Sequence, residues 1–254
     1  MAATQRSLIL IVYAPALAVG DNRPLAVVHG LERAFPGLRL EWTISDEGRL
    51  VPLPQRDDWV MQRRDDWPGF PLVCNGGDER FRVTTFGLEI LPSAAPGGRA
   101  QFDVHAELPL DAAGIAAAMD VLEAVAEGAR AFWGHVSPDG YGEEIARQTS
   151  RSEIAPDVSP RGLPALKRPW DIPLPEIPQF LGWLNYWSAA TAHAIGFPDS
   201  TRDTDLLARA RRTATGGWVV RITDEPLDFE NPAHLDALLR AYERFPRIGG
   251  RTTS

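Results

Sequence analysis

Residues Leu181 to Phe197 read Leu-Gly-Trp-Leu-Asn-Tyr-Trp-Ser-Ala-Ala-Thr-Ala-His-Ala-Ile-Gly-Phe. Two of the eight tryptophans lie here, the stretch carries almost no charge, and its apolar residues fall on every side of a helical wheel. That distribution predicts a buried helix with neighbours on more than one face, around which the rest of the chain is organised. Asn185 and Ser188 are its polar exceptions and need partners if buried. Trp183, Tyr186 and Trp187, spaced by three and four, together with Asn185 form a candidate ligand pocket or aromatic recognition face. Core packing is the competing expectation for such a stripe.

Outward from this stretch toward the C-terminus come a Pro198-Asp199 break, a helix expected over Arg202 to Arg212, and a strand over Trp218 to Ile222. A last helix has Asn231 as N-cap and Pro232 at its first position, with Leu235, Leu238, Leu239 and Tyr242 on its inner face. One clear strand is too little for a separate sheet, so this part is expected to complete a sheet begun earlier. On the other side, residues 150–179 carry Pro156, Pro160, Pro164, Pro169, Pro173, Pro175 and Pro178 with little apolar periodicity, the composition of a long crossing loop.

The first half supplies the strands. Ser7 to Tyr13 is a continuous apolar run of the kind found in a sheet covered on both faces, and Pro15 ends it. Arg6 before this run and the Ala16-Leu17-Ala18 triplet give it some likeness to a signal peptide, but Tyr13 and Pro15 interrupt it, and a buried first strand is the expectation. Pro24 to Phe35 has helical spacing, Leu38 to Ile44 alternates, Ser45 to Gly48 is a turn, and Arg49 to Leu53 is expected to pair back. Gln55 to Asp66, rich in Arg and Asp around Trp59, Val60 and Met61, reads as a charged surface helix. Phe70 to Cys74, Phe81 to Leu91 and Phe102 to Leu108 read as further strands, with Asn75-Gly76-Gly77-Asp78 as a turn. Asp111 is a good N-cap for the longest helix, whose apolar positions run from Ile115 to Phe132. These pieces predict one α+β domain over residues 1–254, a mostly antiparallel twisted sheet packed with helices in two or three layers.

Composition narrows the function. A formal charge of −8 argues against nucleic acid, whose binders carry a basic face. Lys167 is the sole lysine among 26 basic residues. Between Asp103 and Arg147 stand nine acids against Arg130 and Arg147, a local charge of −7. A stretch this acidic is more often solvated than used for recognition, but Asp120, Glu123, Glu127, Asp139, Glu143 and Glu144 are the candidate contacts for a basic partner. With Cys74 as the only cysteine, no internal disulfide is possible and a cytoplasmic setting is expected. No run reaches the roughly 20 apolar residues of a membrane helix.

Chemistry-bearing patterns are sparse. Asp103, His105 and Glu107 share one face of a strand and form a candidate divalent-metal site; alternation alone produces the same pattern on a wet strand face. Cys74 before a Gly-Gly turn has no local base signature and reads as a small core residue. No Gly-x-Ser-x-Gly elbow or Walker loop is present, and Gly140-Tyr141-Gly142 neither follows an expected strand nor completes a dinucleotide fingerprint. No cofactor is expected.

Gly182-Trp183-Leu184-Asn185-Tyr186-Trp187-Ser188 with Ala194-Ile195-Gly196-Phe197, and Ala131-Phe132-Trp133-Gly134 at the expected end of the long helix, resemble a bacterial family of unknown function along nearly the whole chain. That family is in turn similar to the immunity protein 52 family of polymorphic toxin systems, through the two aromatic segments and the element order. The resemblance implies a cytoplasmic, non-enzymatic α+β protein that binds and neutralises a cognate toxin, and it brings no catalytic residues. The alternative is an enzyme or small-ligand binder with a pocket near Trp183 and Trp187, or near Asp103, His105 and Glu107.

Overall fold

A computed structural model describes residues 7–62, 69–76, 82–154 and 161–251. In chain order the elements are β1 (Ser7–Pro15), α1 (Arg23–Ala34), β2 (Trp42–Ile44), β3 (Leu50–Pro52), α2 (Arg56–Met61), β4 (Gly69–Cys74), β5 (Thr84–Ile90), β6 (Gln101–Pro109), α3 (Ala112–Ala129), β7 (Trp133–Pro138), α4 (Tyr141–Ile154), β8 (Leu184–Trp187), α5 (Ala189–Ile195), α6 (Thr204–Leu207), β9 (Ala210–Arg212), β10 (Trp218–Arg221) and α7 (Pro232–Arg244). The ten strands form one antiparallel sheet in the order β3-β2-β4-β5-β6-β1-β7-β8-β10-β9. This is the expected α+β architecture. Arg63, Arg64, Asp65, Asp66, Gly77, Asp78, Phe81, Pro156 and Pro160 lie outside the described residues.

β1 is central, flanked by β6 and β7, and it is apolar on both sides because both sides are covered. Leu8, Leu10, Val12 and Ala14 are fully buried on the face that carries α3. α3 begins as its sequence suggests, with Asp111 accepting from Gly114 N at 2.8 Å. α1 packs across it. Arg23 ties this layer together: it pairs with Asp21 at 2.6 Å and donates to the carbonyls of Pro15, Ala16 and Ala129. The bond from Arg23 holds the Asp21 carboxyl down at about 2.

The Leu181–Phe197 stretch is not one helix. Residues 181–187 are all buried, and Leu184 to Trp187 form β8 between β7 and β10. A strand covered on both faces is apolar on all sides just as a buried helix is, and Trp, Tyr and Leu suit strands at least as well. The helix here is only α5, capped by Ser188 accepting from Thr191 N at 3.2 Å and ended by Gly196 at φ 74°. Asn185 closes on Gly182, accepting from its N–H at 2.9 Å and donating to its carbonyl at 3.0 Å.

Three other expectations change for related reasons. Arg202 to Arg212 divides into α6 and β9, because pairing with β10 overrides the helix-forming arginines and leucines. Ala131–Gly134 is not the end of the long helix: Arg130 turns left-handed at φ 53° and Trp133 opens β7. The crossing segment starts later than residue 150, since α4 runs to Ile154, and from residue 161 on it is not a bare loop. Leu163, Leu166, Ile172, Ile177 and Phe180 are buried, and together with α7 this segment covers the second face of the sheet.

The α1–α3 crossing is backbone-close. A Cβ at Gly30 would stand 2.9 Å from the Ala124 carbonyl oxygen, and one at Gly128 3.0 Å from Ala26. Helix propensity favours Ala over Gly by about 1 kcal/mol, but separating two packed helices costs about 1–3 kcal/mol. Gly30→Ala is therefore predicted to lower the urea unfolding midpoint; an unchanged or raised midpoint would show that the crossing is looser than described.

Candidate functional site

The antiparallel register lays side chains in rows across the face opposite α3. One row is Leu88, Asp103, Tyr13, Trp133, Trp187 and Trp218. The next is Phe86, His105, Ile11, His135, Asn185 and Val220, followed by Thr84, Glu107, Ile9 and Ser137. Toward β8 and β10 the face is closed by aromatic packing: Tyr13 stacks on Trp133 at 4.0 Å between centroids, and Trp187 meets Phe197 and Phe245 edge-on at 5.1 and 5.2 Å. Above β1 and β7 the cover thins to a cleft of about 470 Å³, lined by Ile9, Ile11, His135, Ser137, Tyr141, Ile145 and Phe180, with Asp139 and Glu143 at its rim.

His135 is the polar group of the cleft floor. Its Nδ1 lies 3.4 Å from Ser137 Oγ and its Nε2 has no partner among the described residues. Phe180 packs on it edge-on at 4.6 Å. Burial first, and then the neighbouring His105, lower it to about 3, so the imidazole is neutral. His105 stacks on Phe86 at 5.0 Å and burial lowers it to about 4. Asp103 is buried with an unpartnered Oδ1, and burial raises it to about 8. The Asp103 side of β6 is thus not the wet face that alternation suggests; only Glu107 is exposed. Among the described residues no three His, Cys, Asp or Glu side chains gather closely enough for a metal ion.

The acidic candidates divide. Asp120 and Glu123 on α3 pair with Arg211 of β9, each at 2.7 Å. Glu127 accepts from Tyr186 at 3.0 Å and from Thr215 at 2.6 Å. Glu144 is buried beside Arg147 at 3.2 Å and Arg161 at 3.8 Å. Asp139 and Glu143 stay exposed at the cleft rim, Asp139 accepting from Gly140 N at 2.8 Å and Glu143 facing Arg147 at 3.4 Å. The aromatic pocket candidates are enclosed: Trp183 donates to the Thr223 carbonyl at 2.9 Å, and Trp183, Asn185, Tyr186 and Trp187 are all buried. Cys74 is a buried strand end whose thiol burial pushes up.

Sequence reasoning missed His135, Ser137, Tyr141 and Phe180. Trp133, His135 and Ser137 alternate with Gly134 and Val136, a period-two signal that a helix drawn through Gly134 conceals. Gly140-Tyr141-Gly142 does follow a strand, β7, and opens α4; the strands around it are antiparallel, so no dinucleotide-binding unit results.

A family model described as a domain of unknown function (DUF5953) matches residues 19–253, and the chain belongs to that family. No curated protein matches it significantly. Among solved structures, a Pseudomonas aeruginosa T6SS protein, PA0821, shares the fold with a TM-score of 0.57 at 14% identity, over 98% of this chain and 76% of that one. None of the helices described is long and apolar enough to cross a membrane.

The buried titratable groups pull stability in opposite directions with pH. Asp103 is protonated in the fold up to about 8 but ionises near 3.8 when unfolded, so its cost to stability is absent below about 4, grows as pH rises, and is constant above 8. His135 is neutral in the fold down to about 3 but protonates near 6.5 when unfolded, so its cost grows as pH falls through that window. Asp103→Asn is predicted to raise unfolding free energy at pH 8 by about 2 kcal/mol or more and to leave it nearly unchanged at pH 4. Chemical denaturation at both pH values checks this, and a gap independent of pH contradicts it.

Proposed function

We propose that this protein is a non-enzymatic binding protein of the cytoplasm, an immunity protein that neutralises a cognate toxin by direct contact. The observation that carries this is the fold shared over 98% of the chain with a T6SS protein. The partial likeness of the aromatic segments to the immunity protein 52 family supports it, and so does the charge of −8, which suits a basic partner. Within the acidic stretch, Asp139 and Glu143 are the contacts of choice: both are exposed, and among the described residues Glu143 meets only the exposed Arg147 at 3.4 Å, whereas Asp120 and Glu123 share Arg211 and Glu127 and Glu144 are held by Tyr186, Thr215, Arg147 and Arg161. A second reading, a small apolar ligand, is favoured by one observation: the cleft of about 470 Å³ over His135 has the size and apolar lining of a ligand site.

Co-expression with the toxin-like product of the neighbouring gene tests the first reading. It predicts rescue of growth and a complex that survives purification. Asp139→Lys with Glu143→Lys should slow association about tenfold or more at low salt, while Asp120→Lys has little effect. Failure to obtain either rescue or a complex would contradict the proposal.

A further inference from the structure

In a chain with a net charge of −8, four arginines line one small hollow between α6 and α7. Arg202 precedes α6, Arg209 follows it, and Arg240 and Arg244 stand one turn apart on α7; the hollow between them is about 160 Å³. It exists because Ala237 and Ala241, also one turn apart, face Ile222 and leave room that larger side chains would fill. Asp205 is the one carboxylate in the lining.

The four guanidinium groups do different jobs. Arg244 is committed to structure: it grips the fully buried Asp203 with two bonds, at 2.6 and 2.9 Å, and donates to the Gly196 carbonyl at 2.7 Å. The other three are each held by a single nitrogen. Arg202 Nε donates to Asp199 at 2.9 Å, Arg209 Nε to the Asp205 carbonyl at 3.3 Å, and Arg240 Nη1 to Asp236 at 2.6 Å. Each therefore keeps N–H groups for a ligand, with Arg202 and Arg240 largely exposed. Arginine holds its charge at any physiological pH and presents its donors in a rigid fork suited to oxyanions.

We propose that this hollow is a binding site for a small tetrahedral oxyanion of the phosphate class. Arg202, Arg209 and Arg240 reach this space from before α6, after α6 and α7, and three forks carried on separate elements suit the three or four oxygens of a tetrahedral centre better than the two coplanar oxygens of a carboxylate. The volume admits a phosphoryl group and excludes a nucleoside. The site is independent of the toxin-binding surface, so its occupancy and the immunity activity stand or fall separately.

Titration of the full chain with inorganic phosphate in low-chloride buffer, followed by calorimetry, tests it. The expected result is saturable one-to-one binding. Arg209→Gln and Arg240→Gln should each weaken it about tenfold, the loss of one charge-assisted bond. Ala237→Leu, which fills the hollow and leaves every arginine in place, should abolish binding with the circular dichroism spectrum unchanged. Sulfate should compete and acetate should not. Absence of saturable binding, equal binding in all three variants, or acetate competing as well as phosphate, as an acidic side chain of a protein partner would, overturns the proposal.

Discussion

Pairing of Trp133 to Val136 with Leu184 to Trp187 is the constraint on which the rest of the molecule depends. Without it the sheet would end at β7, and β8, β10 and β9 would be a short three-stranded ribbon apart from the main sheet. With it, the aromatic row Tyr13, Trp133 and Trp187 becomes continuous across three strands, and Phe197 and Phe245 close over its far end. The buried area in that row is large, since each ring removes roughly 150–250 Å² from water. The indole nitrogens of Trp133 and Trp187 lack partners among the described residues, so burial and stacking have to outweigh those two lost hydrogen bonds.

The same seam decides which charges are free. It carries β9 to the edge of the sheet, where Arg211 reaches Asp120 and Glu123, and it aims Tyr186 at Glu127. Part of what reads in one dimension as an acidic surface is therefore tied up within the fold: Asp120 and Glu123 share Arg211, Glu144 meets Arg161, and Glu127 accepts from two neutral hydroxyls. Asp139, in the turn between β7 and α4, and Glu143, in the first turn of α4, stay exposed beside the cleft, Glu143 meeting only the exposed Arg147 among the described residues. The proposed interface thus shrinks from a stretch to the turn after β7 and the first turn of α4.

Much of the fold was legible from residues. β1, α1, β4, β5, β6, α3, β10 and α7 fall where periodicity and caps place them, with Asp111 and Asn231 capping through their side chains. The errors at Leu181 to Trp187 and at Arg202 to Arg212 have two causes. Where a segment is covered on all sides, as at Leu181 to Trp187, apolarity loses its period and no longer distinguishes helix from strand. Where a short strand is recruited by a neighbour, as at Ala210 to Arg212, tertiary pairing overrides local preference. The candidate site was barely legible, because His135 and Asp103 meet neighbouring side chains only through the strand order β6-β1-β7, and the arginines of the small hollow lie on elements far apart in sequence. Membership of a family of unknown function came through better than chemistry, while the family match and the shared fold do not show the further likeness to the immunity protein 52 family.

The central claim is that β8 fuses both parts of the chain into one cooperative sheet. Native-state hydrogen exchange tests it at the amides of Leu184 to Trp187 against those of Leu8 to Tyr13. The account predicts that both sets are among the most protected and lose protection together as denaturant is raised. Loss of protection across β8 and β10 at clearly lower denaturant, with β1 still protected, would contradict it.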